Sequence, residues 1–195
     1  MNQLNNLNKG LKLRKVITLV AAAALAISLS ACAPSGETSD QKIAAPDTLA
    51  TMTKATGEVQ TPEAGYPAVT LDANGAPSIT PVKGAAPAEF GVSTLIRGAG
   101  AVVGSTDIVT VHYSGWLWDG TAFDSSWTRG EPAQFSLEQV VPGFTKAIAG
   151  QTVGSQVVAI LPPADGYGEQ GAGTIPPNST LIFVVDILAA ANPAQ

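Results

Sequence analysis

Residues 111–132 read VHYSGWLWDGTAFDSSWTRGEP, and the way this stretch alternates and turns decides how the rest of the chain must fold around it. It holds the single histidine, His112, and all three tryptophans, Trp116, Trp118 and Trp127, with Asp119, Asp124 and Arg129 among them. Just upstream the alternation is that of a strand. Ile108, Thr110, His112 and Ser114 share one face, while Val109, Val111 and Tyr113 share the other, more apolar one. Asp119-Gly120 is a hairpin signal that brings a second strand back along the first. As a two-residue turn it pairs Trp118 with Thr121 and Trp116 with Phe123, which puts Phe123 on the face away from Tyr113. His112 also points away from Tyr113 and reads as a bystander rather than a general base. With one His and one Cys in the chain, neither a zinc site nor a Cys–His pair can be assembled.

Working outward, strand signals recur at Val92–Ile96, Ile108–Leu117, Phe135–Leu137, Val157–Leu161 and Leu181–Leu188. In the last of these, Leu181, Phe183, Val185 and Ile187 share a face and Asp186 lies on the other. One short helix stands out: Pro142 sits near its start, Phe144 and Ile148 are spaced i, i+4, and Gly150 ends it. Many strands and one short helix imply an α+β fold with an antiparallel sheet as the helix's floor.

The N-terminal third differs in kind. Lys9, Lys12, Arg14 and Lys15 precede the uncharged run Val16–Leu29, the pattern of a secretory signal over residues 1–31. The run is too short to span a membrane. Leu29-Ser30-Ala31-Cys32 resembles a bacterial lipobox, by which Cys32 would be lipidated and become the first mature residue, leaving the protein anchored on the extracytoplasmic face of the membrane. The mature chain would then carry six basic and fifteen acidic residues, a net charge of −9 that argues against nucleic acid as a partner. Residues 32–66 are rich in Ala, Thr, Pro, Gly, Ser and Glu and read as a flexible tether. A domain over 67–190 follows, with its core at 92–188 and a disordered tail at 191–195. Within it, Ala68–Thr80 places Asn-Gly between two apolar runs, a second hairpin signal.

Two motifs carry less than their patterns suggest. Gly166-Tyr167-Gly168-Glu169-Gln170-Gly171 fits G-x-G-x-x-G, yet Pro176-Pro177 forbids the helix that a dinucleotide site requires. Asn178-Ser179-Thr180 fits a glycosylation sequon, which the bacterial leader makes irrelevant. The set Tyr113, Phe123, Phe135, Val140, Val141, Phe144, Tyr167, Ile175 and Phe183 reads, on spacing alone, as the core of a small sheet domain.

Taken together, VHYSGWLWDGTAFDSSWTRGEPAQFSL, EQVVPGF and ADGYGEQGAGTIPPNSTLIFVVDIL closely resemble the FKBP-type peptidyl-prolyl isomerases over about Val92 to Leu188. The blocks Tyr-x-Gly, Phe-Asp-Ser-Ser, Val-Pro-Gly, Tyr-Gly and Ile-Pro-Pro-Asn occur in the family's order. The resemblance implies a curved antiparallel sheet wrapped over one short α-helix, with the substrate proline held in a hollow between them. Carried over by position, Tyr113, Phe123, Asp124 and Tyr167 would be catalytic, and Phe135, Val140, Val141, Phe144, Ile175 and Phe183 would bind substrate. Arg129 would pair with Asp124 at the rim. Three departures bear on affinity: Phe144 stands where the family has Trp, Ala133 where some members have another Phe, and the loop from Tyr167 to Ile175 is one residue shorter. The implied pocket needs Phe123 on the same side as Tyr113, so a bulge or a longer turn must replace the two-residue hairpin.

The implied activity is isomerisation of X-Pro bonds in unfolded or folding exported polypeptides, by a monomer that needs no cofactor and no metal and is open to macrolide inhibitors. Rotation about the peptide bond costs about 18–20 kcal/mol because it destroys amide resonance. A water-poor pocket favours the twisted, less charge-separated amide. The alternative is a lipid-anchored binding module or chaperone that grips chains without turning them over.

Overall fold

The computed structural model describes residues 52–192, so the leader, Cys32 and the first part of the expected tether lie outside the described residues. Nine strands form: β1 Glu58–Val59, β2 Ala68–Leu71, β3 Pro77–Thr80, β4 Gly91–Arg97, β5 Ile108–Leu117, β6 Ala122–Ser125, β7 Ala133–Ser136, β8 Gln156–Leu161 and β9 Leu181–Ala191. All but β2 and β3 belong to one antiparallel sheet in the order β1-β4-β8-β9-β5-β6, with β7 also paired to β5. A one-turn helix α1, Ser126–Arg129, follows β6, and the expected helix is α2, Pro142–Ile148. Pro142 occupies its first turn, where the missing N–H costs nothing.

The period of two divides the sheet's side chains as anticipated. Val109, Val111 and Tyr113 of β5 meet Leu181, Phe183, Val185 and Ile187 of β9 and Val157, Ala159 and Leu161 of β8 in one core. Phe144, Ala147 and Ile148 of α2 close this core from above. The opposite face is covered as well. Leu95, Trp116, Val158, Ile182 and Val184 form a second cluster, packed against Tyr66, Val69, Ile79 and Trp118. Trp116 and Trp118 therefore lie on the side of the sheet away from the helix. With both faces covered, all six residues of β8 are buried.

The cover on that outer face corrects the expected tether. Residues 52–66 are not free of the domain. Glu58 and Val59 pair with Arg97 and Ile96, and the Thr56 N–H donates to the Gly154 carbonyl at 2.9 Å. The Ala55 N–H donates at 2.7 Å to the buried Asp186 carboxylate, whose other oxygen accepts from Gln156 Nε2 at 2.7 Å. Average polarity misleads here because this segment docks through backbone donors and small residues, which composition does not register. The Asn-Gly hairpin is present as β2–β3, a separate two-stranded sheet with Val69 opposite Ile79. At the other end β9 runs through Ala191, paired with Ile108, one residue past the expected end of the domain.

Asp186 gives this docking a testable signature. Burial pushes its carboxyl above the ordinary range, only partly opposed by the Ala55 N–H, Gln156 and the charge of Lys54. A raised folded-state value means the contribution to stability is complete below the unfolded value and is lost as pH rises through the folded one. Wild-type protein should therefore lose stability relative to Asp186→Asn as pH rises above the ordinary carboxylate value of about 4 in denaturant titrations. Asp186→Ala, which strands two buried donors, should cost roughly 2–4 kcal/mol.

Candidate functional site

The site is built at the turn from β5 into β6. Gly120 takes φ +90°, its N–H donates to the Leu117 carbonyl at 2.9 Å, and the Leu117 N–H donates to the Thr121 carbonyl at 2.9 Å. The loop thus has three residues, not two, and Trp116 pairs with Ala122 rather than Phe123. A β-bulge comes next: Gly115 pairs with Asp124, leaving Phe123 as the extra residue. Phe123 and Asp124, adjacent in sequence, consequently both line one hollow on the Tyr113 side of the sheet. The two-residue register expected from Asp119-Gly120 is corrected by this longer turn and bulge.

Residues outside the sheet hold the turn in place. Trp118 Nε1 donates to the Gly84 carbonyl at 3.0 Å, and Asp119 Oδ1 accepts the Thr121 N–H at 2.8 Å. Behind the bulge, Ser126 Oγ accepts the Tyr113 N–H at 2.8 Å and lies 2.9 Å from His112 Nδ1. His112 is buried and stacks on Trp127 at 4.0 Å, and burial lowers its pKa. It sits on the outer face, away from the hollow, where it supports the start of α1.

The hollow has a volume of about 360 Å³, at the small end of the roughly 300–1,000 Å³ usual for ligand pockets. Its aromatic lining meets edge to face. Phe144 lies 5.5 Å from Phe183 and 5.6 Å from Phe135, Phe123 lies 5.5 Å from Phe183, and interplanar angles are 78–84°. Each such pair is worth about 0.5–1.5 kcal/mol beyond its buried area, so the lining is well fixed. Phe123 fits only because residue 115 is Gly: a Cβ there would stand 2.5 Å from its ring and 3.0 Å from that of Phe183. Val140 and Val141, at the start of α2, and the half-exposed Tyr167 complete the wall.

One polar cluster interrupts the apolar rim. The Tyr113 hydroxyl donates to one Asp124 oxygen, Arg129 Nη1 pairs with the other, and Arg129 Nη2 donates to the Tyr113 hydroxyl at 3.0 Å. Partial burial, the largest single influence, pushes the Asp124 carboxyl up. The Tyr113 hydroxyl, the Arg129 guanidinium and its charge, and the Ser125 N–H together outweigh it and hold Asp124 below its ordinary value. Burial and the hydrogen bond to Asp124 push the Tyr113 phenol up. The Arg129 and Asp124 side chains are 45% and 40% exposed, so their pairing adds little to stability and chiefly fixes the carboxylate's position.

Nine of the eleven pocket residues named from the sequence line the hollow: Tyr113, Phe123, Asp124, Phe135, Val140, Val141, Phe144, Tyr167 and Phe183. Arg129 stands behind Asp124 rather than on the wall. Ile175 is packed in the core, its N–H and carbonyl bonded to Ala172. Gln139 is a wall residue that the sequence reading passed over. Its one signal was position, directly before Val140-Val141.

Two substitutions test this geometry. Tyr113→Phe removes a donor from Asp124, so the Asp124 pKa followed by NMR should rise toward the ordinary carboxylate value. The wild-type carboxylate, depressed in the folded state, contributes stability above the unfolded value that is lost as pH falls through the folded one. That acid-side loss should shrink in Tyr113→Phe. Gly115→Ala should drive the Phe123 ring out of the hollow, seen as loss of the Phe123–Phe183 ring contacts in NMR spectra, whereas unchanged contacts would contradict the packing.

Comparison with known proteins agrees with this architecture. Residues 100–188 match the family model described as FKBP-type peptidyl-prolyl cis-trans isomerase. The chain is 54% identical over 97 residues to the FKBP-type peptidyl-prolyl cis-trans isomerase FkpA of Aeromonas hydrophila, covering 50% of this chain and 36% of that protein. It is 49% identical over 89 residues to FK506-binding protein 2 of Yarrowia lipolytica, covering 44% and 62% respectively. The crystal structure of FkpA from Escherichia coli superposes with a TM-score of 0.52 at 35% identity, covering 65% of this chain and 53% of that one. The chain thus spans about a third of the Aeromonas protein's length and under two thirds of the Yarrowia protein's. The sheet, the helix beneath it and the aromatic hollow that they enclose are those of this family, and residues 100–188 are an FKBP-type peptidyl-prolyl cis-trans isomerase domain.

Proposed function

We propose that this protein isomerises X-Pro bonds in polypeptides exported across the cytoplasmic membrane. The observation that carries the reading is the bulge, which sets Phe123 and Asp124 side by side on the rim of an apolar hollow of about 360 Å³. A proline ring enters between Phe123, Phe135, Phe144 and Phe183. Water is excluded, and the twisted amide, less charge-separated than the planar one, is favoured over the ground state. No covalent bond to the substrate forms, so no nucleophile is needed. The Val141 N–H and the Tyr167 hydroxyl supply donors for the carbonyls that flank the proline. Asp124 is the one carboxylate on the wall, and Arg129 with Tyr113 fixes its orientation toward the rotating carbonyl.

Outside the described residues, Leu29-Ser30-Ala31-Cys32 supports lipidation at Cys32 and residence on the extracytoplasmic face of a membrane. The hollow is also the place for a macrolide inhibitor. Phe144 offers a smaller face than Trp, which sets a weaker grip on both proline and macrolide.

A protease-coupled assay on an X-Pro peptide tests the reading. Turnover at substoichiometric protein is expected. Phe123→Ala and Asp124→Ala should each reduce kcat/KM at least tenfold while circular dichroism shows the fold intact. Full activity in folded Phe123→Ala would remove the hollow from the mechanism. Client binding without turnover in the wild type would assign the protein to the non-catalytic chaperones. Phe144→Trp should tighten macrolide binding severalfold.

A further inference from the structure

A second groove, of about 460 Å³, runs beside the proline hollow on the far side of β6. Asp124 belongs to the walls of both, so the two spaces adjoin at one residue. One wall is the β2–β3 hairpin, through Pro77, Ser78 and Ile79. The other is the β5–β6 hairpin and α1, through Trp116, Ala122 and Trp127. Among the described strands, β6 is an edge of the large sheet and β3 pairs with β2 alone, so an extended chain lying here has strand edges beside it. The only charges on the lining are acidic, Asp72 and Asp124. Asp124 is matched by Arg129, whereas Asp72 makes no ion pair among the described residues and uses Oδ1 to accept the Asn74 and Ala76 N–H groups. The hairpin wall, residues 72–79, lies outside the stretch matched to the family model, so the groove is an addition made by this chain's N-terminal portion.

We infer that this groove holds the extended segment of the client polypeptide that flanks the proline, with the exposed Ala122 and the partly exposed Ile79 and Trp127 taking an apolar side chain and Asp72 selecting a lysine or arginine. The inference rests on the isomerase reading of the adjoining hollow. Six residues of extended chain reach about 20 Å, enough to cross from one space into the other. Apolar contact supplies the attraction, and the unpaired carboxylate supplies the preference for positive charge.

The test compares a four-residue X-Pro peptide with peptides extended by six residues on either side of the proline, carrying either lysines or glutamates, on the full chain. Extension on one side should raise kcat/KM about tenfold through KM, and lysine peptides should exceed glutamate peptides, a difference that shrinks with added salt. Ser78→Trp, which fills the groove from an exposed position, should erase the advantage of the extended peptide over the short one. Asp72→Asn, which keeps the turn-capping oxygen, should erase the lysine preference alone. Equal handling of short and extended peptides by the wild type overturns the inference, as does a Ser78→Trp protein that retains the advantage. A rate advantage that varies with protein concentration assigns the groove to a second copy of the chain and overturns it too. Should the wild type fail to turn over even the short peptide, the isomerase reading falls. Fluorescence anisotropy of the lysine peptide on wild type and Ser78→Trp then decides the groove separately.

Discussion

Two neighbouring residues of a strand ordinarily point to opposite faces of its sheet, and this site needs two that do not. The bulge at Phe123 resolves that conflict. With Phe123 as the extra residue and Asp124 opposite Gly115, an aromatic ring and a carboxylate share the rim of one hollow. Other features follow from this constraint. Residue 115 must lack a side chain, because the ring of Phe123 occupies the space a Cβ would need. Asp124 must be tethered, and Tyr113 and Arg129 do so from β5 and from the last residue of α1. The turn must have three residues, which puts Gly120 at a positive φ that glycine adopts without strain.

The second organising feature is a sheet buried on both faces. The helix side carries the hollow, and the outer side is closed by the segment from residue 52 onward and by the β2–β3 hairpin. The outer cover is more than shielding. Through Trp118 and Gly84 it reaches the turn that presents Phe123, and through Ala55 it satisfies the buried Asp186. A part of the chain that lies outside the family-matched stretch thereby supports the site hairpin and forms one wall of the groove beside it.

Much of this was legible in the sequence because period-two alternation is a local signal. The faces of β5 and β9, the helix begun by Pro142, and the sheet as that helix's floor follow from side-chain order alone. The membership of the hollow came instead from motif resemblance, since a pocket aromatic and a core aromatic look alike in one sequence. Ile175 shows the limit of that transfer: its backbone bonds to Ala172 close a turn that seats its side chain in the core. Phe123 was misplaced by spacing because Asp-Gly signals a turn without fixing its length, and a bulge leaves no mark in composition. The docked residues 52–66 were misread for a related reason. Their anchors are backbone N–H groups, and a sequence does not reveal which of these will find a buried carboxylate.

In the proposed mechanism a preorganised apolar hollow with a single tethered carboxylate lowers the barrier to rotation without bonding to the substrate. Exchange NMR of an X-Pro peptide, with protein at a small fraction of the peptide concentration, observes this directly. Uncatalysed interconversion takes tens to hundreds of seconds at 25 °C, so no cis–trans exchange peaks form in the free peptide on the subsecond scale. The account predicts exchange peaks between the cis and trans resonances with wild-type protein and their loss in folded Phe123→Ala. A peptide whose resonances shift on binding while cis and trans stay unexchanged would contradict it.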